Sequence, residues 1–370
     1  MTDAPVLSRR ALNRATLDRQ LLLRRSSLSA AEAIEHLGGL QAQTPHTWYV
    51  GLWTRLTDVS AEQVSDMLRD RELVRMALMR STIHLVTAAD ALALRHLFDL
   101  VVERNMRGAF GRNLKGIDEA ALLQAGRELV EEQPLTFSEL GRKLAERWPD
   151  RDPASLAQAI RGLGALVQVP PRGLWRTSGK AAHTTAEHWL GRPLHTDVTV
   201  DDLVVRYLAA FGPATVKDMQ NWSGLTRLNE VVKRLDDRLV TFGDEEGRVL
   251  FDLPDAPRPD PDVPAPPRFL YDFDNLLLSH ADRSRFITDE YFRQGYTDDG
   301  PMPRMILLDG FTNGSWTTTR ARRHVTLTIQ PFRRCSAAER AALTEEGLAL
   351  LAFSEPDATT FDVDFLPPRP

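Results

Sequence analysis

A single cysteine, Cys335, stands in a chain of 370 residues. It excludes an internal disulfide and a thiolate metal cluster, and it suits a reducing cytoplasm. Long apolar runs are missing too. No uncharged stretch is long enough to span a bilayer, and the opening MTDAPVLSRRALNRATLDRQ lacks the apolar core of a signal peptide. A cytoplasmic protein without membrane contact is expected. The nine histidines never take a ligand spacing with Asp or Glu, so neither a metal nor another cofactor is implied. Positive charge is not in excess: the formal net charge is -5, which argues against indiscriminate polyanion binding. Heptads are absent, so nothing indicates coiled-coil dimerisation and a monomer is expected.

What is present is repetition. The chain is too long for one compact core and suits two to four small domains in a row. TFSELGRKLAERW opens at Thr136 with Glu139 three residues on, the spacing of a capping box. DPASLAQAIRGLGALV then reads as a second helix with Leu156, Ile160, Leu163 and Leu166 on one face. VQVPPRGLWRTSG follows, with the alternation of two short strands about a Pro-Pro-Arg-Gly turn. Helix, turn, helix, hairpin is the order of a winged helix. The order recurs in VTVDDLVVRYLAAFG, TVKDMQNWSG, TRLNEVVKRLDDRLV and TFGDEEGRVLFDL, with an Asp-Glu-Glu-Gly turn. A looser version fills the N-terminal third, where LDRQLLLR, SAAEAIEHLGGLQ and SAEQVSDMLRDRELVRM read as helices and RSTIHLVT as a strand.

DLPDAPRPDPDVPAPPRF is too rich in proline for a helix or a central strand and reads as an extended connector. Beyond it FLYDFDNLLLSH, PRMILLDGFTNGSWTTT and RHVTLTIQPF are β-rich, with Asp309-Gly310 and Asn313-Gly314 as turn signals, and SAAERAALTEEGLALLAF closes as a helix. The expected fold is therefore α+β: three tandem winged helix-turn-helix units over 1–115, 116–196 and 197–256, then a β-rich module over 257–370. Such repetition favours a C-shaped clamp on a duplex over the reading of one half-site. Basic residues gather in two places, Arg9, Arg10, Arg14, Arg19, Arg24 and Arg25 at the N-terminus and Arg320, Arg322, Arg323, His324, Arg333 and Arg334 around VTLTIQPF. One such run is an ordinary solvated face; several on one scaffold suggest a surface that tracks phosphates.

Gln41-Ala42-Gln43 offers paired amides instead of a catalytic base. Residues two apart on a helix point to opposite sides, but Pro45 biases Thr44 away from helical dihedrals, so a helix ending within QAQT would let the amides converge. His46, Trp48 and Tyr49 follow, the last two equally suited to a core. Arg80, Ser81, Thr82 and His84 read as a wing edge facing phosphates or as structural polar groups. Ser279, His280, Asp282, Arg283 and Arg285 could read as a triad fragment, but Ser and His adjacent on a strand do not project toward each other, which speaks against it. Pairing of Asp282 with a neighbouring arginine, and Arg283 or Arg285 on phosphate, fits better. Met76 and Met79 are core.

GGLQAQ before an aromatic-rich run, MRSTIHLVTAAD, WLGRPL, FDNLLLSHADRSR and PRMILLDGFTNGSW occur here in the order found in the AlkZ-like winged-helix DNA glycosylases of bacteria, and the resemblance covers nearly the whole chain. It implies three winged helices and a β-rich part around double-stranded DNA. It also implies hydrolysis of the N-glycosidic bond of alkylated purines, including bulky N7-guanine adducts and interstrand crosslinks. The family's catalytic motif is Gln-x-Gln in a self-resistance branch and Gln-x-Asp in another, which maps catalysis onto Gln41 and Gln43. DNA contacts would fall to His46, Arg80, Ser81, Thr82, His84, His280, Arg283, Arg285, Arg322 and Arg323. The alternative from another class is a winged-helix transcription regulator without catalysis.

Overall fold

Side-chain caps start four helices of the two regular repeats, and Leu228–Arg234 starts without one. In the computed structural model, which describes residues 4–296 and 302–368, Thr136 and Glu139 form a capping box on the helix Phe137–Arg147. Asp152 caps Pro153–Leu163, with proline in the first turn where no N–H is needed. Thr199 with Asp202 and Thr215 with Asp218 box the starts of Val200–Phe211 and Val216–Ser223. Leu228–Arg234 follows, then the strands Val240–Asp244 and Val249–Asp252 around the expected acidic turn.

The same reading fails locally in three places. Leu166 lies in a strand, not on the preceding helix, and the strands Leu166–Gln168 and Ala182–Thr185 are joined by a long loop over 169–181 in place of a tight turn. In the N-terminal third the first helix is Arg9–Arg19, and Leu21 at φ 57° ends the helical course expected of LDRQLLLR. The last four residues of the expected helix ending in VRM belong instead to the strand Leu73–Ala77, buried at every position. A short apolar run buried all round suits helix or strand alike until a pairing partner decides, and here Ile83–Thr87 supplies it.

Strand pairing then crosses the repeat boundaries. One antiparallel sheet of six strands runs, edge to edge, Leu40–Gln41, Ile83–Thr87, Leu73–Ala77, Leu166–Gln168, Ala182–Thr185 and Leu135–Thr136. Arg75 and Met76 sit opposite Gln168 and Val167, so the first and second hairpins are one sheet. Val6–Leu7 joins Val240–Asp244 in parallel. The N-terminal helices share a core with the C-terminal sheet through Trp48, Tyr49, Phe269 and Trp316.

The C-terminal sheet contains Arg268–Phe269, Met305–Leu308, Phe311–Ala321, His324–Pro331 and Thr360–Phe365, backed by the helix Ala337–Ser354. Asp309-Gly310 makes its turn, at φ 47° and 80°. Asn313-Gly314 does not: it lies inside a strand, opposite a register shift between Ile306 and Leu307. Asn275–Leu278, expected as β, is one helical turn capped by Asp274.

The N-terminal arginines correct the charge reading most. Arg19 is buried on Asp252, Arg14 on Asp309, and Arg10 and Arg25 pair with Asp309 and Glu346. Arg10, Arg14 and Arg19 also donate to the carbonyls of Pro261, Val263 and Pro257, which tacks the proline-rich connector onto the first helix. Those three form an internal clasp, because the connector has few N–H groups of its own and its carbonyls need external donors, whereas Arg24 stays exposed.

Candidate active site

The helix Ala30–His36 stops well before the paired amides, not within QAQT. Gly38 and Gly39 take φ 67° and 88°, and a Cβ on Gly39 would stand 2.9 Å from Val86 Cγ1, so glycine is needed there to turn the chain. The chain then runs extended: Leu40 and Gln41 pair with Leu85 and His84, and Ala42 N–H donates to Ile83 O at 2.7 Å. This removes the helical-spacing objection, because the strand Leu40–Gln41 and the bend at Gln43 replace the helix. Both amides reach the same turn. Gln41 Oε1 accepts from Arg80 Nη2 at 2.7 Å, and Gln43 Oε1 accepts from Ile83 N–H at 3.2 Å. Gln41 is buried and Gln43 exposed.

A distant segment frames the pair. Tyr271 Oη donates to Gln41 O at 3.0 Å, Asn275 Oδ1 accepts from Gln41 N–H at 3.3 Å, and Asn275 Nδ2 donates to Gly39 O at 2.6 Å. The Asp272 carboxylate accepts from Thr44 at 2.6 Å and Thr47 at 2.5 Å, which ties down the loop after Gln43. From the central sheet Arg75 Nη2 donates to Ala42 O at 2.6 Å. Sequence reasoning singled out FDNLLLSH without giving Tyr271, Asp272 or Asn275 a role, and it passed over Arg75. Nothing local signals them, since their partners lie more than two hundred residues away for the first three.

Charge around the amides is positive and largely unneutralised. Burial lowers the Arg75 and Arg80 pKa values to about 10, with Arg172 adding to the effect on Arg75. Neither has a carboxylate within ion-pair distance among the described residues. Beside the loop opens a cleft of about 410 Å³ lined by His46, Thr47, Val50, Trp175, Arg304 and Trp316, among others. The lining residue Trp175 comes from the long loop of the second hairpin, which docks on the N-terminal third through Tyr49 Oη to Gly173 O at 2.9 Å and Trp175 N–H to Ser65 Oγ at 2.6 Å.

Of the residues expected at DNA, Gln41, Gln43, Arg80, Ser81, Thr82 and His84 do come together. His46 lies on the neighbouring cleft with its Nε2 3.1 Å from Thr177 O. Three are in the interior, however. His84 is 1% exposed, with Nδ1 3.0 Å from its own neighbour Thr82 O; His280 is 1% exposed against Phe211 O; Arg285, 6% exposed, donates to Pro213 O and Thr16. Contact with phosphate is excluded for them because their polar atoms face protein. Ser81 is also buried, whereas Arg283 is half-buried over the Phe292 ring. Arg322 and Arg323 are exposed at the end of the hairpin Phe311–Ala321 and His324–Pro331. Asp282 pairs with an arginine, but with the distant Arg248 at 2.6 Å and not with a neighbour in its own string. Trp48, Tyr49, Met76 and Met79 are all core.

Those interior imidazoles make stability depend on pH. Burial, reinforced for His84 by the Arg80 charge and for His280 by Arg285 and opposed there by Asp218 and Asp282, lowers both pKa values to about 3, and burial takes His183, facing Arg161, Arg75 and Arg172, to about 4. Below about pH 6.5 the unfolded chain therefore binds protons that the folded chain refuses, so stability is full above that pH and falls as pH drops. The melting temperature should be level from pH 8 to 7 and decline from pH 6.5 to 5, where most carboxylates remain ionised. A level trace down to pH 5 contradicts this.

Residues 34–353 match the family model described as DNA glycosylase AlkZ-like. An interstrand DNA cross-link repair glycosylase of Streptomyces sahachiroi is 25% identical over 326 residues, spanning 81% of this chain and 85% of the relative. The solved structure of Streptomyces sahachiroi DNA glycosylase AlkZ matches with a TM-score of 0.78 at 20% identity, covering 98% of this chain and 100% of that one. At that identity the match speaks for the mixed α+β fold.

Proposed function

The chain belongs to the AlkZ-like DNA glycosylase family, and we propose that it is a monofunctional enzyme that hydrolyses the N-glycosidic bond of cationic N7-alkylguanine in duplex DNA, with Gln41 and Gln43 at the reaction centre. The observation that carries this reading is the pair of amide contacts from Gln41 to Arg80 and from Gln43 to Ile83, which bring both side chains to the segment 79–83 beside an aromatic-lined cleft. Alkylation at N7 makes guanine a good leaving group, so cleavage needs little acid assistance and passes through an oxocarbenium-like sugar. What remains is to place a water. An amide carbonyl has two lone pairs and its NH₂ two protons, so each amide here keeps capacity beyond its protein partner. No lysine makes a hydrogen bond or ion pair with this segment among the described residues, which supports a monofunctional reaction that leaves an abasic site over one through a Schiff base.

The cleft supports bulky adducts, because its volume falls within the range of small-molecule sites and its walls include Trp175 and Trp316. Interstrand crosslinks of a DNA-alkylating natural product, and a role in self-resistance, follow as the substrate and setting we favour. The helix, helix, hairpin runs over 1–115, 116–196 and 197–256 would act as winged helices, and with the module 257–370 would close as a clamp around DNA, the protein working as a monomer. Arg283, Arg322 and Arg323 remain as phosphate contacts. Removing Arg322 and Arg323 together should weaken duplex binding for any sequence and lower the salt slope by about two; an unchanged slope removes them from the interface.

The reading is tested on duplexes carrying 7-methylguanine or hypoxanthine, incubated with protein and then cleaved with hot alkali. The protein should release 7-methylguanine and leave hypoxanthine, an uncharged base that neutral amides do not activate. Equal rates on both would refute the mechanism. Duplex binding without release from either would favour the second reading, a non-catalytic regulator.

A further inference from the structure

The contact between Arg80 and Gln41 decides more than local order. We propose that Arg80 is a positioning residue that sets which end of the Gln41 amide faces the substrate, an inference resting on the active-site assignment above. A guanidinium only donates, so the Gln41 atom 2.7 Å from Arg80 Nη2 is the carbonyl oxygen. The amide nitrogen therefore turns away from Arg80, and Gln41 presents N–H to whatever lies in front of it. Gln43 is oriented likewise by a donor, the Ile83 N–H, but it stays exposed with one lone pair of Oε1 open. The two amides thus divide the work. Gln41 grips an acceptor oxygen on the substrate or the water, and Gln43 accepts the water's hydrogen.

The surroundings fix Arg80 for this task. Its Nη1 donates to Trp222 O, in the helix Val216–Ser223 of the third repeat. Arg80 and Ser81 sit at φ 54° and 62°, two successive left-handed residues without glycine. Such backbone persists only where its surroundings over-determine it. Here Arg161 Nη2 from the second repeat holds Ser81 O at 2.6 Å, and Ser81 N–H returns to Leu78 O at 2.9 Å. Gln41 is held at its backbone by Tyr271 and Asn275, so Arg80 is the one described partner of its side chain. A residue that only filled space would need no fork between a carbonyl in another repeat and the amide of the candidate catalytic glutamine.

The experiment is a double-mutant cycle read as single-turnover release of 7-methylguanine, with duplex affinity and melting temperature measured on each protein. Arg80→Met should slow release about 10- to 100-fold at saturating enzyme, since small misplacements of a reacting group cost that much. Affinity should change less than about two-fold. In a Gln41→Ala background the same substitution should cost less than about two-fold, because a group that acts through another has nothing left to act on. Arg80→Lys keeps the charge but not the fork. It should bind like wild type and still release slowly, and it carries the cycle if Arg80→Met does not fold. Losses that multiply across the cycle overturn the proposal. So does weaker binding with a salt slope lowered by about one and unchanged release at saturation, which makes Arg80 a phosphate contact. If Gln41→Ala itself releases 7-methylguanine at the wild-type rate, the active-site assignment fails instead, and the cycle shows which of the two has failed.

Discussion

Replacing Gln41 or Gln43 with alanine slows single-turnover release of 7-methylguanine by about 100- to 1,000-fold while leaving the fold intact. The magnitude is that of removing one preorganised hydrogen-bonding group from a reaction centre. Folding should survive because the backbone of the segment is held independently of either amide: Ala42 N–H on Ile83 O, Ala42 O on Arg75, Gln41 O on Tyr271 and Gln41 N–H on Asn275. The two variants should differ in stability. Gln41→Ala leaves the buried side of Arg80 without an acceptor and costs about 1–3 kcal/mol, whereas exposed Gln43 costs little. The double variant should be hardly slower than either single one, as expected of groups that act as a unit. Wild-type rates in both single variants would remove the reaction from this segment altogether.

Asp274→Ala lowers folding stability by about 3–5 kcal/mol, the cost of stranding a buried partner charge. Arg55 and Asp274 have no exposed side-chain surface and meet through two hydrogen bonds of 2.9 and 2.7 Å. Arg55 Nη1 also reaches Gly51 O, and Asp274 caps the helical turn at Leu276. The pair joins the N-terminal third to the segment that holds Gln41 through Tyr271 and Asn275, so stability and release rate should fall together. Arg55→Met with Asp274→Leu should recover most of the stability, since a buried ion pair is often replaceable by apolar residues of similar volume. Urea unfolding measures both. A loss under about 1 kcal/mol in Asp274→Ala would mean that water reaches Arg55.

Helix starts were the most legible part of the fold. Thr136 with Glu139 was read as a cap and is one, and Thr199 with Asp202 and Ser336 with Glu339 show the same three-residue spacing in the structure, a signal carried by one turn of chain. Hairpin ends were less so. Asp309-Gly310 turned as its residues ask, while Asn313-Gly314 was drawn into a strand by pairing with His324–Pro331. Arginine runs were least legible. Arg14 and Arg19 look like solvent-facing charge in a list of residues, yet both are buried and pair with Asp309 and Asp252, far along the chain.

The sequence by itself determined the caps, the repeated helix, helix, hairpin order, the paired amides at 41 and 43 and the resemblance that gives them meaning, because each depends on residues within a few positions or on an ordered set of short strings. Only the tertiary structure decided that Gln41 lies in a strand and Gln43 in the bend after it, that His84, His280 and Arg285 face inward, and that Arg75, Arg80, Tyr271 and Asn275 hold the reaction segment. The physical reason is range. A cap is satisfied by its own chain within one turn, whereas the direction of a buried polar side chain is set by whichever distant donor or acceptor removes the cost of burying it.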